Sequence, residues 1–597
     1  MLVDVGDRSF SFRHELARAA IYDAVPAPRK GELHARTLAA LQSMPRPLGD
    51  LALLAHHAEA AGDRHAVLRF APEAARRAAT LRAHRESAAQ YDRALRFAEN
   101  LPPRERAELF EACSYECYLT GNVKKAIKLR REALQIWREL DERLREGDAL
   151  RWASRLSWFV GRNDEAVAAA EEALTVLSDQ PPGRELAMAL SNRAQLHMLA
   201  AENELAIVWG ERAMALAQAL DETEIYVHAL NNAGTARLTV EEAQGRIDLE
   251  RSLALAEAAG LEEHAARAYT NLSWHAVHVH DFTRANAYFD AGIAYATDHG
   301  LDPWRLYMLS WRAYLRLFEG DWSAAEADAS RVLTFRTATE INRIAALTVQ
   351  GLLRARRGDP NAEELLNEAL ALAVSTGELH RLGPVRLARS EAAWLKGDHA
   401  LAALEARAVL DLTHRVGSRW DVGELYLWLA RAGSLDAIGS PVDSSGLPEP
   451  HGHALAGNWA ASASAWRALG CPYETALALL DGDETALREA LALFKSMDAR
   501  SAEAIAMRRL RDLGVRKIPR GPRPATRANP ASLTARELQI LPLLAAGRQN
   551  AEIADHFFLS AKTIDHHVGS ILAKLGVHAR GEVAAAARQL GISVASD

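Results

Sequence analysis

The sequence predicts an all-α protein, in which a tetratricopeptide-like α-solenoid is followed by a four-helix domain, with a β-hairpin and two helices at the amino terminus. Three observations predict this fold class. The chain has 597 residues, several times the length of one domain. Hydrophobic residues make up 49% and aromatic residues only 6%, which favours helices over a β-sandwich or disorder. The third observation is an internal repeat.

The middle of the chain repeats with a period of forty residues. Similar segments begin at Gly121, Gly161, Ala201, His280 and Gly320, and a blurred copy lies around Gly245. Each of the five carries an alanine five residues later: Ala126, Ala166, Ala206, Ala285 and Ala325. A glycine or polar turn accepts the left-handed conformation between antiparallel helices, and the small alanine lets them approach closely. Because one hairpin cannot bury its apolar stripe alone, we predict stacked hairpins over residues 49–512.

The concave face of such a solenoid can bind peptides, proteins or small ligands. Four tryptophans could line that face, although packing within the hairpins explains them more simply: Trp311, Trp322, Trp420 and Trp459. The sequence names no ligand pocket among these residues.

The first residues predict a different local structure. Residues 2–12 alternate apolar and polar side chains around Gly6 and Asp7, which predicts a β-hairpin. An amphipathic helix, a proline-bounded turn and a second helix follow. Since a two-stranded hairpin is marginal in water, we expect neighbouring elements to support it.

Two groups of side chains raise the question of a metal or thiol site. The segment 439–453 is rich in proline, glycine and serine, which predicts a loop, and its His451 and His453 form only a weak chelate. Cys113 and Cys117 lie four residues apart on a predicted helix, a spacing typical of two small buried residues. We therefore predict no metal site.

Several classes of function find no support in the sequence. No run of about 18 apolar residues predicts a membrane span, and no signal peptide is evident, so we expect a cytoplasmic protein. No Ser/His/Asp set, carboxylate pair or zinc-ligand spacing predicts a catalytic site, so we expect no enzyme. The motif G-x-x-x-x-G-K-[ST] is absent, so we expect no ATP binding and no cofactor.

The net charge of −7 hides an uneven distribution. The segment 508–527 contains eight Lys/Arg residues and one acid, whereas residues 531–597 are neutral and residues 1–507 carry −14. A basic segment beside a neutral domain predicts a polyanion partner at one end of the chain, and a solvated basic linker is the alternative.

The last 65 residues predict four short helices. Thr534 and Glu537 form a capping box that begins the first helix, and Asn550 is the expected cap of the second. Ser560 is the expected cap of the third helix, which covers residues 561–575. A fourth helix follows after a glycine.

The third helix has two different faces. Its apolar stripe comprises Ile564, Val568, Ile571, Leu572 and Leu575. The opposite side carries small and polar residues: Lys562, Asp565, His566, Gly569, Ser570 and Ala573. A bare polar helix face of this kind fits the major groove of DNA, where side chains meet base edges.

The segment 531–583 resembles the LuxR-type helix-turn-helix over its whole length. It contains LT-x-RE from Leu533, G-x-x-N-x-EIA from Gly547, S-x-KT from Ser560 and KLGV from Lys574 at the matching spacings. The amino-terminal segment resembles the end of the winged-helix portion that closes the ATPase module in large LuxR-type regulators. The repeats resemble the helical repeats that come after that module in the same regulators. The ATPase module itself is absent from this sequence.

This resemblance implies four parts and a set of roles. The parts are a winged-helix remnant over 1–48, the solenoid over 49–512, a basic linker over 513–530 and the DNA-binding domain over 531–597. The implied base-reading residues are Asp565, His566 and Gly569. The implied contacts with the DNA backbone are Asn550, Lys562, Thr563, His567 and Lys574.

The chain departs from the family pattern at two positions, Gln549 and Asp565. Many members have a serine where Gln549 stands and a lysine where Asp565 stands, and a carboxylate repels phosphate while accepting from cytosine. The preferred DNA sequence is therefore left open. His566 and His567 point about 100° apart on a helix, so they cannot chelate one ion together.

The resulting hypothesis is a transcriptional regulator that binds double-stranded DNA as a homodimer, with a solenoid that senses a protein or small-molecule inducer. The alternatives are a helical-repeat scaffold that binds proteins and not DNA, and, with the least support, an enzyme.

Overall fold

The computed structural model describes residues 2–6, 9–12, 15–43, 51–438, 444–515, 531 and 533–592. The chain divides into two compact units, Met1–Leu510 and Arg511–Asp597. Within the described residues, every helix is too short or too polar to cross a membrane. The finer division into four parts stays a prediction, and most of the predicted basic linker lies outside the described residues.

The first unit begins with a two-stranded antiparallel hairpin, β1 (Leu2–Gly6) and β2 (Ser9–Phe12). Leu2 pairs with Phe12, and the register shifts between Asp4 and Gly6. Two helices follow, α1 (Glu15–Ala24) and α2 (Ala27–Ser43). The winged-helix interpretation of this segment stays a prediction.

The rest of the first unit is a stack of antiparallel helices, as the repeats predict. Its first half comprises α3 (Leu51–Ala61), α4 (Arg64–Thr80), α5 (His84–Leu95), α6 (Pro103–Leu119), α7 (Val123–Glu139), α8 (Arg143–Phe159), α9 (Asn163–Ser178), α10 (Arg184–Leu199), α11 (Asn203–Ala219), α12 (Thr223–Val240), α13 (Glu242–Ala258), α14 (Glu262–His278) and α15 (Phe282–Asp298). Its second half comprises α16 (Asp302–Glu319), α17 (Trp322–Thr334), α18 (Glu340–Arg357), α19 (Ala362–Val374), α20 (Leu379–Leu395), α21 (His399–Arg407), α22 (Leu410–Val416), α23 (Arg419–Arg431), α24 (Glu449–Leu455), α25 (Trp459–Ala468), α26 (Pro472–Leu479), α27 (Glu484–Ser496) and α28 (Arg500–Asp512).

The turns and contacts of the hairpins follow the predicted chemistry. The residue that opens each of the five clear copies has a positive φ, including the non-glycine residues Ala201 and His280 at 59°. The alanine five residues later is completely buried in all five copies. The repeat therefore works as predicted, because a left-handed turn reverses the chain and a methyl group sits between the helices.

The blurred copy has a different turn. No left-handed residue separates α12 from α13, where Glu241 has a φ of −137°. A Cβ on Gly245 would lie 2.3 Å from the backbone nitrogen of Leu238 and 2.8 Å from the carbonyl oxygen of Gly234. The two helices thus touch backbone to backbone, and only glycine fits at this crossing.

The helix stack winds back on itself within the first unit. The Trp158 indole donates to Glu378 at 2.7 Å, although 220 residues separate the two. Tyr118 donates to Glu263 at 2.7 Å, and His278 lies 2.7 Å from the Ser418 hydroxyl. These contacts join successive turns of the superhelix, so its inner surface encloses space.

Over residues 533–592 the second unit forms four α-helices: α29 (Ala535–Ala545), α30 (Asn550–Phe557), α31 (Ala561–Leu575) and α32 (Val583–Gln589). Its core is apolar and includes Leu533, Ile540, Leu541, Leu544, Ile553, Ile564, Ile571 and Val583.

Candidate nucleic-acid interface

The first helix of the terminal domain is fixed by a buried carboxylate. Thr534 and Glu537 form the predicted capping box, with the Thr534 amide donating to Glu537 at 2.6 Å. The Ser570 hydroxyl and the Lys574 ammonium donate to the same carboxylate at 2.6 and 2.7 Å. Although burial acts to raise the pKa of Glu537, these donors lower it to about 2. Glu537 therefore joins α29 to α31 and sets how α31 lies in the domain.

This cluster changes two sequence interpretations. The prediction that Ser570 lies on the outward side of the third helix is wrong, because its hydroxyl faces Glu537. Lys574, expected at the DNA backbone, forms an ion pair with Glu537, whose side chain is only 4% exposed.

The second helix begins one residue earlier than expected. Its N-cap is Gln549, whose backbone amide donates to Glu552 at 2.8 Å, so the prediction that Asn550 caps it is wrong. The Asn550 amide instead donates to Asp565 at 3.0 Å, and its oxygen accepts from Arg580 at 2.8 Å. Asn550 thus ties α30 to α31.

The turn between the second and third helices is short and sharply bent. Phe558 ends α30 in the left-handed conformation, with a φ of 55°, and its side chain is 96% exposed. Ser560 then caps α31, as predicted, by accepting from the Thr563 amide at 3.1 Å. Two helices are thereby joined by a turn of three residues.

The third helix divides into the predicted faces. Ile564, Val568, Ile571 and Leu575 are buried in the core. Five of the candidate residues are exposed on the other side: Lys562, Thr563, Asp565, His566 and Gly569. Apart from the backbone of α31 and the neighbours of Gly569, no atom of the described residues lies within 4 Å of a Cβ built on Gly569, so this face is open. His567 is half-buried at the edge between the two faces.

The candidate residues of the first unit lie elsewhere. Cys113 and Cys117 are buried free thiols, in agreement with the structural interpretation. His451 and His453 lie on α24, so the loop predicted there is wrong over its last residues. Trp311 and Trp420 line an internal cavity that the sequence did not predict. Trp322 is buried outside that cavity.

A short second helix, a tight turn and a third helix with an uncovered polar face define the terminal unit as a helix-turn-helix domain. Residues 531–587 match the family described as GerE, bacterial regulatory proteins, luxR family. The terminal unit is thus a helix-turn-helix domain of the luxR family.

Curated relatives match this domain. The oxygen regulatory protein NreC of Staphylococcus aureus, in strains JH9 and JH1, is 47% identical to this chain over 51 residues. The match covers 8% of this chain. The chain therefore spans only about a quarter (24%) of the length of these relatives.

Solved structures resemble the helix stack only distantly. A Rap protein complexed with competence and sporulation factor is 13% identical, with a TM-score of 0.37, over 67% of this chain and 96% of that one. The Cut9–Hcn1 hetero-tetramer of APC/C is 14% identical, with a TM-score of 0.36, over 82% of this chain and 95% of that one. The repeat architecture rests instead on the hairpins and turns described above.

Proposed function

We propose that this protein is a DNA-binding transcriptional regulator that inserts α31 into the major groove. The observation that carries the proposal is the open polar face of α31 in a luxR-family domain. A helix presented in this way can bring side chains against base edges while its apolar stripe holds the domain together.

We assign the contacts by exposure. Asp565, His566 and Gly569 form the middle of the open face and would lie against the bases. Lys562 and Thr563 stand at the beginning of the helix and would contact the DNA backbone. His567 would touch phosphate only from the edge of the face.

Asn550 and Lys574 receive a different role from the one the family resemblance implies. Their side chains already bind Asp565 and Glu537 within the domain. We propose that both act by positioning α31 on the DNA.

The regulator would bind as a homodimer, because one small domain reads only one half-site and binds weakly alone. The solenoid would sense a protein or small-molecule inducer. Its internal cavity supports a ligand-controlled regulator, and the charge of −14 on residues 1–507 keeps it from binding DNA itself.

The test is an electrophoretic mobility shift with purified protein and the promoter region next to its own gene. We expect a specific shift whose affinity falls steeply as salt rises. His566→Ala should change the preference among sites, whereas Lys562→Ala should weaken all sites similarly. Binding that does not respond to salt, or no binding by native protein, would favour the scaffold alternative.

A further inference from the structure

The interior of the first unit holds a cavity of about 750 Å³. Its lining residues run from Met198 on α10 to Leu477 on α26, so distant repeats build one site. A volume of this size is typical of pockets for small molecules, which span roughly 300–1,000 Å³.

Aromatic rings form much of the cavity wall. Trp274 lies edge-on to Trp311, with centroids 6.2 Å apart. Across the next helices, Trp420 stacks on His280 at 4.4 Å and lies 6.4 Å from Trp466. The indole nitrogens of Trp274 and Trp466 have no hydrogen-bond partner among the described residues. Such walls can hold the body of an organic ligand and offer donors to it.

Four histidines of the cavity add no positive charge near neutral pH: His275, His280, His380 and His451. Burial lowers the pKa of His275, His280 and His451 to about 3 each. Burial also holds the pKa of His380 well below its ordinary value. These rings are therefore neutral and extend the aromatic surface.

The ionised groups of the cavity are mainly carboxylates. The lining contains six carboxylates, three guanidinium groups and no lysine. The Arg356 guanidinium donates two hydrogen bonds to the Glu391 carboxylate, at 2.7 and 3.0 Å. One oxygen of Glu474 has no partner within the described part of the chain.

Glu424 is a carboxylate of this lining that has no ion pair within the described residues. Its side chain lines the cavity and is exposed there. Within the described ranges, no salt bridge engages it, whereas Asp421 accepts hydrogen bonds from Ser418. A carboxylate on the wall of a cavity attracts a cation more strongly than one in bulk water, because the surrounding protein screens the two charges less.

We propose that this cavity binds an organic cation, a protonated amine carried by an aromatic or apolar body, with Glu424 as its counter-ion and Trp274, Trp311 and Trp420 as its walls. Tryptophan faces attract cations as well as apolar groups, so both parts of such a ligand find a partner. An anion would meet an excess of carboxylates. The idea that this cation is the signal of a regulator rests on the proposed function. The proposal that the cavity binds the cation does not.

The protonation of Glu424 gives the site a pH dependence. Enclosure and the charge of Asp421 raise the pKa of Glu424 to about 7. Glu391 and Glu474 add to this rise, and Arg356 opposes it. Below that pH the protonated carboxyl no longer attracts a cation, so affinity should rise between pH 6 and pH 8.

Three probes of similar shape test the charge preference: phenethylamine, 2-phenylethanol and 3-phenylpropionate, titrated into the full chain by calorimetry at pH 8. We expect the amine to bind roughly tenfold more tightly than the alcohol, and the carboxylate least tightly. At pH 6 the affinity for the amine should be about tenfold lower, because a group of pKa 7 is then about nine-tenths protonated. The affinity for the alcohol should stay unchanged.

Glu424→Gln removes the charge and keeps the shape. It should bring the affinity for the amine down to that of the alcohol, whereas Glu424→Asp should retain the preference. Glu108→Gln, at an exposed position on α6, is the matched control and should behave like native protein. Thermal unfolding of each variant checks that the fold is intact.

The outcomes separate this inference from the proposed function. No binding by any probe, no preference for the amine, or a preference that survives Glu424→Gln overturns the cation site. A mobility shift on the same samples tests DNA binding independently, so either result can fail alone.

Discussion

The outward face of α31 and the cavity of the first unit are both lined by polar and titratable side chains, but they arise in opposite ways. The face comes from one helix of 15 residues, and its side chains stand in solvent. The cavity comes from helices between residues 198 and 477, and its aromatic rings and histidines are buried or half-buried between those helices.

This difference decides what each site can recognise. A convex solvated helix face suits DNA, a large polyanion whose major groove can accept the helix. An aromatic wall with a carboxylate that has no ion pair among the described residues suits a small cation that leaves water behind. We therefore expect substitutions on the face to change DNA binding without changing the stability of the fold. Substitutions of buried titratable groups should change how the stability depends on pH.

The largest effect should come from closing the open face. Gly569→Glu adds a negative side chain at a position where no other part of the described structure lies within 4 Å of the new Cβ, so the fold should accept it. We expect DNA affinity to fall by at least roughly 100-fold, because the carboxylate meets bases and phosphates at close range.

Gly581→Glu is the matched control, since Gly581 is equally open but lies outside α31. It should retain most of the affinity, measured by mobility shift, and both variants should keep the native melting temperature. Equal losses in the two variants would show that net charge, and not the face of α31, controls binding.

The next effect concerns the ion pair between Lys574 and the buried Glu537, which supports the face. Lys574→Met leaves the buried Glu537 without its cation and should destabilise the terminal domain by roughly 2–3 kcal/mol. Hydrogen exchange of the amides in α29 and α31 measures this loss, and Lys562→Met, at an exposed position of the same helix, is the control.

The pH dependence sharpens the same test. The folded pKa of Glu537, about 2, lies below its ordinary value of 4.5. Its stabilisation is thus present above pH 4.5 and is lost as pH falls towards 2. Without Lys574 the folded pKa should rise and the pH-dependent stabilisation should shrink. A variant with unchanged protection and pH profile would contradict the role given to Lys574.

A smaller effect is expected from the cavity wall. His280 has a folded pKa of about 3 against an ordinary value of 6.5, so the unfolded chain binds the proton first and stability is lost as pH falls below 6.5. Relative to native protein, His280→Phe should gain about 2 kcal/mol between pH 7 and pH 5.

Tryptophan emission measures this change in the first unit alone, because all 13 tryptophans precede residue 511. Denaturant unfolding at the two pH values should show it, and His399→Phe, at an exposed position, should not. Parallel pH profiles for His280→Phe and native protein would mean that His280 is not held neutral.

The smallest effect should come from Asp565. Asp565→Asn removes one negative charge from the face and should raise affinity for all DNA sequences by roughly threefold, with less preference for cytosine at one position. Quantitative mobility shifts on variant sites measure both changes. A uniform fall in affinity would instead assign Asp565 to holding Asn550 in place.

The sequence was a good guide wherever a feature depends on neighbours in the chain. The capping box at Thr534, the cap at Ser560, the stripe of α31 and the left-handed turns at Ala201 and His280 follow from local spacing. It failed where partners come from another helix. The side chains of Asn550, Ser570 and Lys574 face Asp565 and Glu537, and helical periodicity cannot tell which polar residue is drawn inwards.

The sequence by itself determined the helical repeat, the terminal helix-turn-helix and, apart from Ser570, the residues that its third helix presents to solvent. These depend on hydrogen bonds and apolar spacing within a few turns of one helix. Only the tertiary structure decided that Glu424, without an ion pair among the described residues, lines the same cavity as the tryptophans and the neutral histidines. A superhelix brings together residues that are hundreds of positions apart, and no local pattern records which of them will meet.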